Sequence, residues 1–160
     1  MTWIDTEYER TFTVEASGEE VAEFLSNPSG LRHCMADLER AEKIDEQTWQ
    51  WVLEEVGAKN ITFQGDYTVR YGRDGKRVTW ESVGDGTMRT EGEAIVDEIG
   101  DERSRVDYRE TLSSDLPIPR LAKKVFSGIV DREVSKGVDK FLDAVIEYLE
   151  AGRHRADDAQ

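Results

Sequence analysis

Cysteine is almost missing from this chain of 160 residues; Cys34 is the single one. No intramolecular disulfide can form, which fits a reducing compartment. Histidine is nearly as scarce, with His33 and His154 the two present. Basic residues are outnumbered: 21 Lys and Arg stand against 35 Asp and Glu, a formal net charge of −14. Phosphate backbones are held by clustered Lys and Arg. No unopposed basic run occurs here, so nucleic acid is excluded as a partner. The same charge opposes attraction to anionic lipid surfaces. Apolar runs are short, and none approaches the ~18 residues of a transmembrane helix. The opening Met1-Thr2-Trp3-Ile4-Asp5 lacks a basic stretch followed by an apolar one. No signal peptide is therefore expected, and the expected location is cytoplasmic. There is no Gly-rich phosphate loop, no Gly-x-Ser-x-Gly elbow and no paired-His motif. Repeats, low-complexity segments and domain linkers are absent too.

What is present is enough for one domain. A chain of this size buries roughly 70% of its unfolded surface. The expected domain spans residues 1–152, and the polar segment 153–160 is expected to be a disordered tail. Arginine outnumbers lysine, 14 to 7. Acidic excess with Arg over Lys is the pattern of proteins from salt-loving cells. In molar salt the Debye length falls to about 3 Å, which screens repulsion between surface carboxylates, while the carboxylates keep the protein soluble.

The order of patterns carries the fold. Residues 10–15 alternate, with Phe12 and Val14 on one face, as in a short half-buried strand. Ser17 and Glu20 have capping-box spacing. Val21, Phe24 and Leu25 make the buried face of a short helix, and Asn27-Pro28-Ser29-Gly30 stops it. Residues 31–38 suit a second short helix. A strand run begins near Arg40. Trp49, Trp51 and Leu53 share one face. Ile61, Phe63, Gly65, Tyr67, Val69 and Tyr71 share the inner face of the clearest strand. Asp74-Gly75 marks a hairpin. Val78 and Trp80 continue that face, then Met88, Thr90, Gly92, Ala94 and Val96, then Val106, Tyr108, Glu110 and Leu112. Long strands joined by tight turns with one wet face predict an antiparallel sheet. Mid-strand Gly65 and Gly92 predict bends that help it curl.

Residues 113–119 read as extended, because each proline disfavours helix in the residue before it. A helix is then predicted over 120–150. Val130, Val134, Val138, Phe141, Val145 and Tyr148 form its later apolar stripe. Leu121, Val125 and Ile129 point nearly opposite at 100° per residue. A bend or break near Gly128 is therefore expected. The early trio then forms either a gate over a cavity or a patch for a membrane or partner.

The segment Thr11-Phe12-Thr13-Val14-Glu15-Ala16-Ser17-Gly18-Glu19-Glu20-Val21-Ala22-Glu23-Phe24-Leu25-Ser26-Asn27-Pro28 resembles the strand, turn and helix that open START-related proteins. These are also called SRPBCC or helix-grip proteins. The chain is similar to two of their branches. One is polyketide cyclase/dehydrase-like; the other is like the G-type subunit of carbon monoxide dehydrogenase. The resemblance implies an α+β fold in which a curved antiparallel sheet wraps a long C-terminal helix, with a hydrophobic ligand cavity between them.

Candidate cavity residues are the inward aromatics Trp49, Trp51, Phe63, Tyr67, Tyr71, Trp80 and Tyr108. Phe126, Thr90 and Arg132 join them. Glu110 shares a buried face, where a carboxylate is costly unless paired or protonated. It is the candidate acid or base, its pKa raised by burial, with Arg132 as the cation that would pair it. His33, Cys34 and Asp37 do not make a metal site, because Cys34 points about 100° from His33 and a fourth ligand is missing. No metal or cofactor is expected. The expected activity is binding of a hydrophobic small molecule or lipid. The rivals are a cyclase- or dehydrase-type enzyme and a membrane- or partner-associated assembly protein. Fold alone does not choose among them.

Overall fold

The first strand is far longer than its apolar signal. In the computed structural model, which describes residues 1–58 and 60–158, β1 runs Thr2–Val14. Its inner face continues from Phe12 back through Tyr8, Thr6, Ile4 and Thr2, all buried. Two of those five positions are threonine, so the alternation is faint in the sequence. The extra length is held by thirteen-residue pairing with the last strand, from Thr2↔Leu116 to Val14↔Ser104.

Next come α1, Gly18–Leu25, and α2, Pro28–Leu31, with a 3₁₀ turn over Arg32–Cys34. The Ser17 hydroxyl accepts the Glu20 N–H at 3.2 Å, as the capping-box spacing predicts. The second short helix begins earlier than 31. Asn27 caps it by accepting the Ser29 N–H at 3.2 Å, and Pro28 occupies its first turn, where a missing N–H costs nothing. The residues read as a stop are thus also a start.

The remaining strands are β2 Leu38–Lys43, β3 Thr48–Leu53, β4 Val56–Ala58, β5 Ile61–Phe63, β6 Asp66–Asp74, β7 Arg77–Ser82, β8 Met88–Gly100 and β9 Arg103–Leu116. Seven form one antiparallel sheet in the order β1-β9-β8-β7-β6-β3-β2, while β4 and β5 pair as a separate ribbon. The single strand expected over 61–71 is therefore two, parted at Gln64-Gly65. A Cβ at Gly65 would lie 2.6 Å from Met88 Sδ, so a larger residue where the chain leaves the sheet would have to push that side chain aside.

A 3₁₀ turn, Arg120–Ala122, leads into α3, Lys123–Asp158. α3 is one uninterrupted helix, and no break occurs at Gly128. The break was expected on the premise that both apolar stripes need burial. They do not: Leu121 is 96% exposed and Val125 58% exposed, and Ile129 alone of the trio turns inward. The helix also continues in helical backbone past residue 152, where a tail was expected; residues 159 and 160 lie outside the described residues. Near its C-terminal end the buried stripe is Val138, Leu142, Val145 and Leu149, whereas Tyr148 stays exposed and stacks on Phe24. Arg10 of β1 bonds the Asp143 carboxylate at 2.8 Å, and the Tyr8 hydroxyl donates to Asp139, which ties helix to sheet. Among the described residues no helix is long and apolar enough to cross a membrane.

Candidate functional site

Between the sheet and the first half of α3 lies a cavity of about 590 Å³. Its floor is the inner face of β6–β9, its roof Phe126, Ile129, Val130, Val134, Val138 and Phe141, and its side the α2–3₁₀ segment with Leu31, Cys34 and Met35. The β4–β5 ribbon contributes Val56, Gly57 and Ile61 at the rim. Such concave, mostly apolar enclosures are where small molecules bind.

One cluster of polar groups sits in this apolar space, and strand register builds it. Tyr71, Trp80, Gly92 and Glu110 are consecutive partners across β6, β7, β8 and β9. Inward side chains at one level of a sheet stand side by side. Gly92 leaves a gap in that row, and the Trp80 indole fills it. A Cβ at position 92 would lie 2.6 Å from Trp80 Cζ2 and 2.5 Å from the Arg109 carbonyl oxygen. Across the gap Trp80 Nε1 donates to Glu110 Oε2 at 3.1 Å. The Thr90 hydroxyl also donates to Oε2, and the Tyr108 hydroxyl donates to Oε1 at 2.7 Å. Ser82 fixes β8 here by accepting the Thr90 N–H at 2.8 Å.

Burial pushes the Glu110 carboxyl above its ordinary range, and the hydrogen bonds from Thr90, Tyr108 and Trp80 hold it back. Burial likewise raises Tyr67, Tyr71 and Tyr108, with the Glu110 charge adding to each. These phenols are neutral donors at any physiological pH. No ion pair to Glu110 forms among the described residues. Burial pushes the Cys34 thiol up to about 11; it is an inert wall rather than a nucleophile.

Phe63, Tyr67, Tyr71, Trp80, Thr90, Tyr108, Glu110 and Phe126 line the cavity. Trp49, Trp51 and Arg132, expected there, do not. Trp51 is wholly buried, stacked on Trp49 at 5.6 Å with Nε1 donating to the Tyr71 hydroxyl at 3.0 Å. The two indoles fill core beyond the cavity wall. Arg132 is exposed. It lies two residues from both Val130 and Val134, about 200° round the helix from the cavity side, and cannot pair Glu110. Sequence reasoning missed Met88, Ser114, Leu116 and the α2–3₁₀ residues. Ser114 and Leu116 were within reach, because the inward alternation of β9 continues past Leu112 to the strand's end. Leu31, Cys34 and Met35 lie on elements too short for any periodicity to show. His33 stacks on Tyr148, and among the described residues no three metal-ligating side chains gather.

A family model described as "Polyketide cyclase / dehydrase and lipid transport" matches residues 5–150. The chain belongs to this cyclase/dehydrase and lipid-transport family. Solved structures agree on its fold. The aromatase/cyclase ZhuI from Streptomyces sp. R1128 superposes with a TM-score of 0.70 at 17% identity, covering 91% of this chain and 94% of that one. A protein from Thermus thermophilus gives 0.68 at 21% identity, covering 92% and 98%. A START superfamily protein from Mycobacterium smegmatis gives 0.64 at 12% identity, covering 91% and 97%. No curated protein matches. At these identities the structures establish the helix-grip fold of this family member and nothing of its ligand.

Proposed function

We propose that the protein binds a hydrophobic small molecule or lipid in this cavity, within a single START-like domain over residues 1–152. The observation that carries the reading is the cavity of about 590 Å³ itself, apolar on nearly every wall. Its polar centre, Glu110 with three donors, orients rather than solubilises a ligand. Native mass spectrometry of freshly purified protein tests it, together with a titration by 1-naphthol followed through tryptophan fluorescence. A co-purified mass, or saturable 1:1 quenching, is expected. The absence of both a bound mass and saturation would end the reading.

A second reading, acid–base catalysis of the cyclase or dehydrase kind, is favoured by one observation. The Glu110 carboxylate faces the cavity instead of the outer surface. A carboxylate held near neutral phenols can take a proton from a carbon acid placed against it. In D₂O the protein should then speed exchange of the α-protons of 2-tetralone, read by proton NMR, and Glu110→Gln should abolish the acceleration. Equal rates for the two proteins would exclude Glu110 as the base.

A further inference from the structure

We propose that the ligand of this cavity has an apolar body and a hydrogen-bond-donating headgroup, best a protonated amine, seated on the unused acceptor site of Glu110 Oε1. The inference rests on the binding reading above and names the chemistry that reading leaves open.

An ionised carboxylate has about four acceptor sites. Oε2 is occupied by Trp80 Nε1 at 3.1 Å and by the Thr90 hydroxyl, and Oε1 accepts the Tyr108 hydroxyl at 2.7 Å. One site on Oε1 remains, and Glu110 lines the cavity. Every group packed against this carboxyl is neutral: Tyr67 and Tyr71 from β6, Trp80 from β7, Thr90 from β8, Tyr108 from β9. Burial pushes this carboxyl above its ordinary range and the three donors hold it back. It has no cation partner among the described residues, and an incoming ammonium would offset the cost of burying its ionised form. The other charged residues of the lining, Asp37, Glu133 and Lys140, are exposed at the rim and carry both signs. An anionic headgroup such as a fatty-acid carboxylate would meet like charge. An ammonium would meet Glu110 and the faces of Trp80 and the tyrosines, which attract cations.

A matched series with one naphthyl body tests the headgroup: 2-(1-naphthyl)ethylamine, 2-(1-naphthyl)ethanol and 1-naphthylacetate, titrated at pH 7 by calorimetry. The amine should bind tightest and the acetate weakest, with amine over acetate by about ten-fold or more, as hydrogen bonds to charged groups give. This ranking is read on the wild-type protein and needs no variant. In Glu110→Gln the amine should lose its lead over the alcohol, with the alcohol changed less than about three-fold on the same scale. Glu147→Gln, exposed on α3 outside the lining, should leave the lead intact. Acetate binding as tightly as amine overturns the proposal while leaving the cavity a binding site. An amine lead that survives Glu110→Gln, or that Glu147→Gln removes, overturns the assignment to Glu110. If none of the three binds, the cavity-binding reading falls and takes the proposal with it.

Discussion

The two halves of α3 face the same sheet and meet different fates. In the C-terminal half, Leu142 and Val145 have no exposed surface, and Leu149 is buried beside them. In the N-terminal half, Phe126, Ile129, Val130 and Val134 are only half-buried, and they roof a cavity. Both halves are apolar on their inward side. The difference is what stands opposite. Near β1 and α1 the helix shares one buried cluster with Phe12, Val14 and Val96 of the sheet and Val21 of α1. Across β6–β9 the sheet presents Trp80 and Tyr108, each hydrogen-bonded to Glu110, and the cavity lies between this face and the helix. Stability is concentrated at one end and space at the other, so binding surface need not be taken from the core.

That contrast is open to measurement. The largest effect is expected from Leu142→Ala, which removes a fully buried side chain from the closed end. A loss of about 2–5 kcal/mol is expected in urea denaturation, and a loss under about 1 kcal/mol would erase the distinction between the ends. Gly92→Ala comes next. Its methyl would strike the Trp80 indole and the Arg109 carbonyl, at a cost of about 1–3 kcal/mol from overpacking. Tryptophan fluorescence should shift as the Trp80–Glu110 bond opens; an unmoved spectrum would deny that the glycine gap positions Trp80. Val134→Ala, at the open end, should cost below about 1 kcal/mol, because its methyls already border space, and should enlarge the site for naphthyl ligands.

The fourth effect is a slope. The Glu110 carboxyl is raised above its ordinary value of 4.5. Just above that pH the unfolded chain has released the proton that the folded protein still holds. The stabilisation is complete below 4.5 and is lost as pH rises through the folded value. Wild-type stability should therefore fall relative to Glu110→Gln as pH climbs from 4.5, and parallel curves would show that burial does not perturb this group. Smallest is Leu121→Ala, which touches solvent on nearly all sides. It should move stability by less than about 0.5 kcal/mol; a larger loss would mean that the early stripe packs after all.

Much of the fold was legible residue by residue. The Ser17 cap, the Asp74-Gly75 hairpin and the alternation through β8 and β9 rest on local chemistry, and the structure has each where spacing put it. The site was legible in part. Glu110 stood out because a carboxylate on an apolar strand face is costly anywhere. Trp49 and Trp51 misled because inward-facing says nothing about whether the opposite side is filled. Arg132 misled because it was picked for its charge, as a counter-ion to Glu110, although the Val130 and Val134 stripe already turns it outward.

Alternation, capping and turn chemistry act within a few residues, so the chain by itself determined its strands, its short helices and the inward face that bears Glu110. The tertiary structure decided where that face meets the helix and where it stops short. Register across β6–β9 put Gly92 beneath Trp80 and so closed three donors on one carboxylate. The course of α3 then left a space above them. Neither register nor helix course is a local property, because each depends on contacts between residues far apart in the chain.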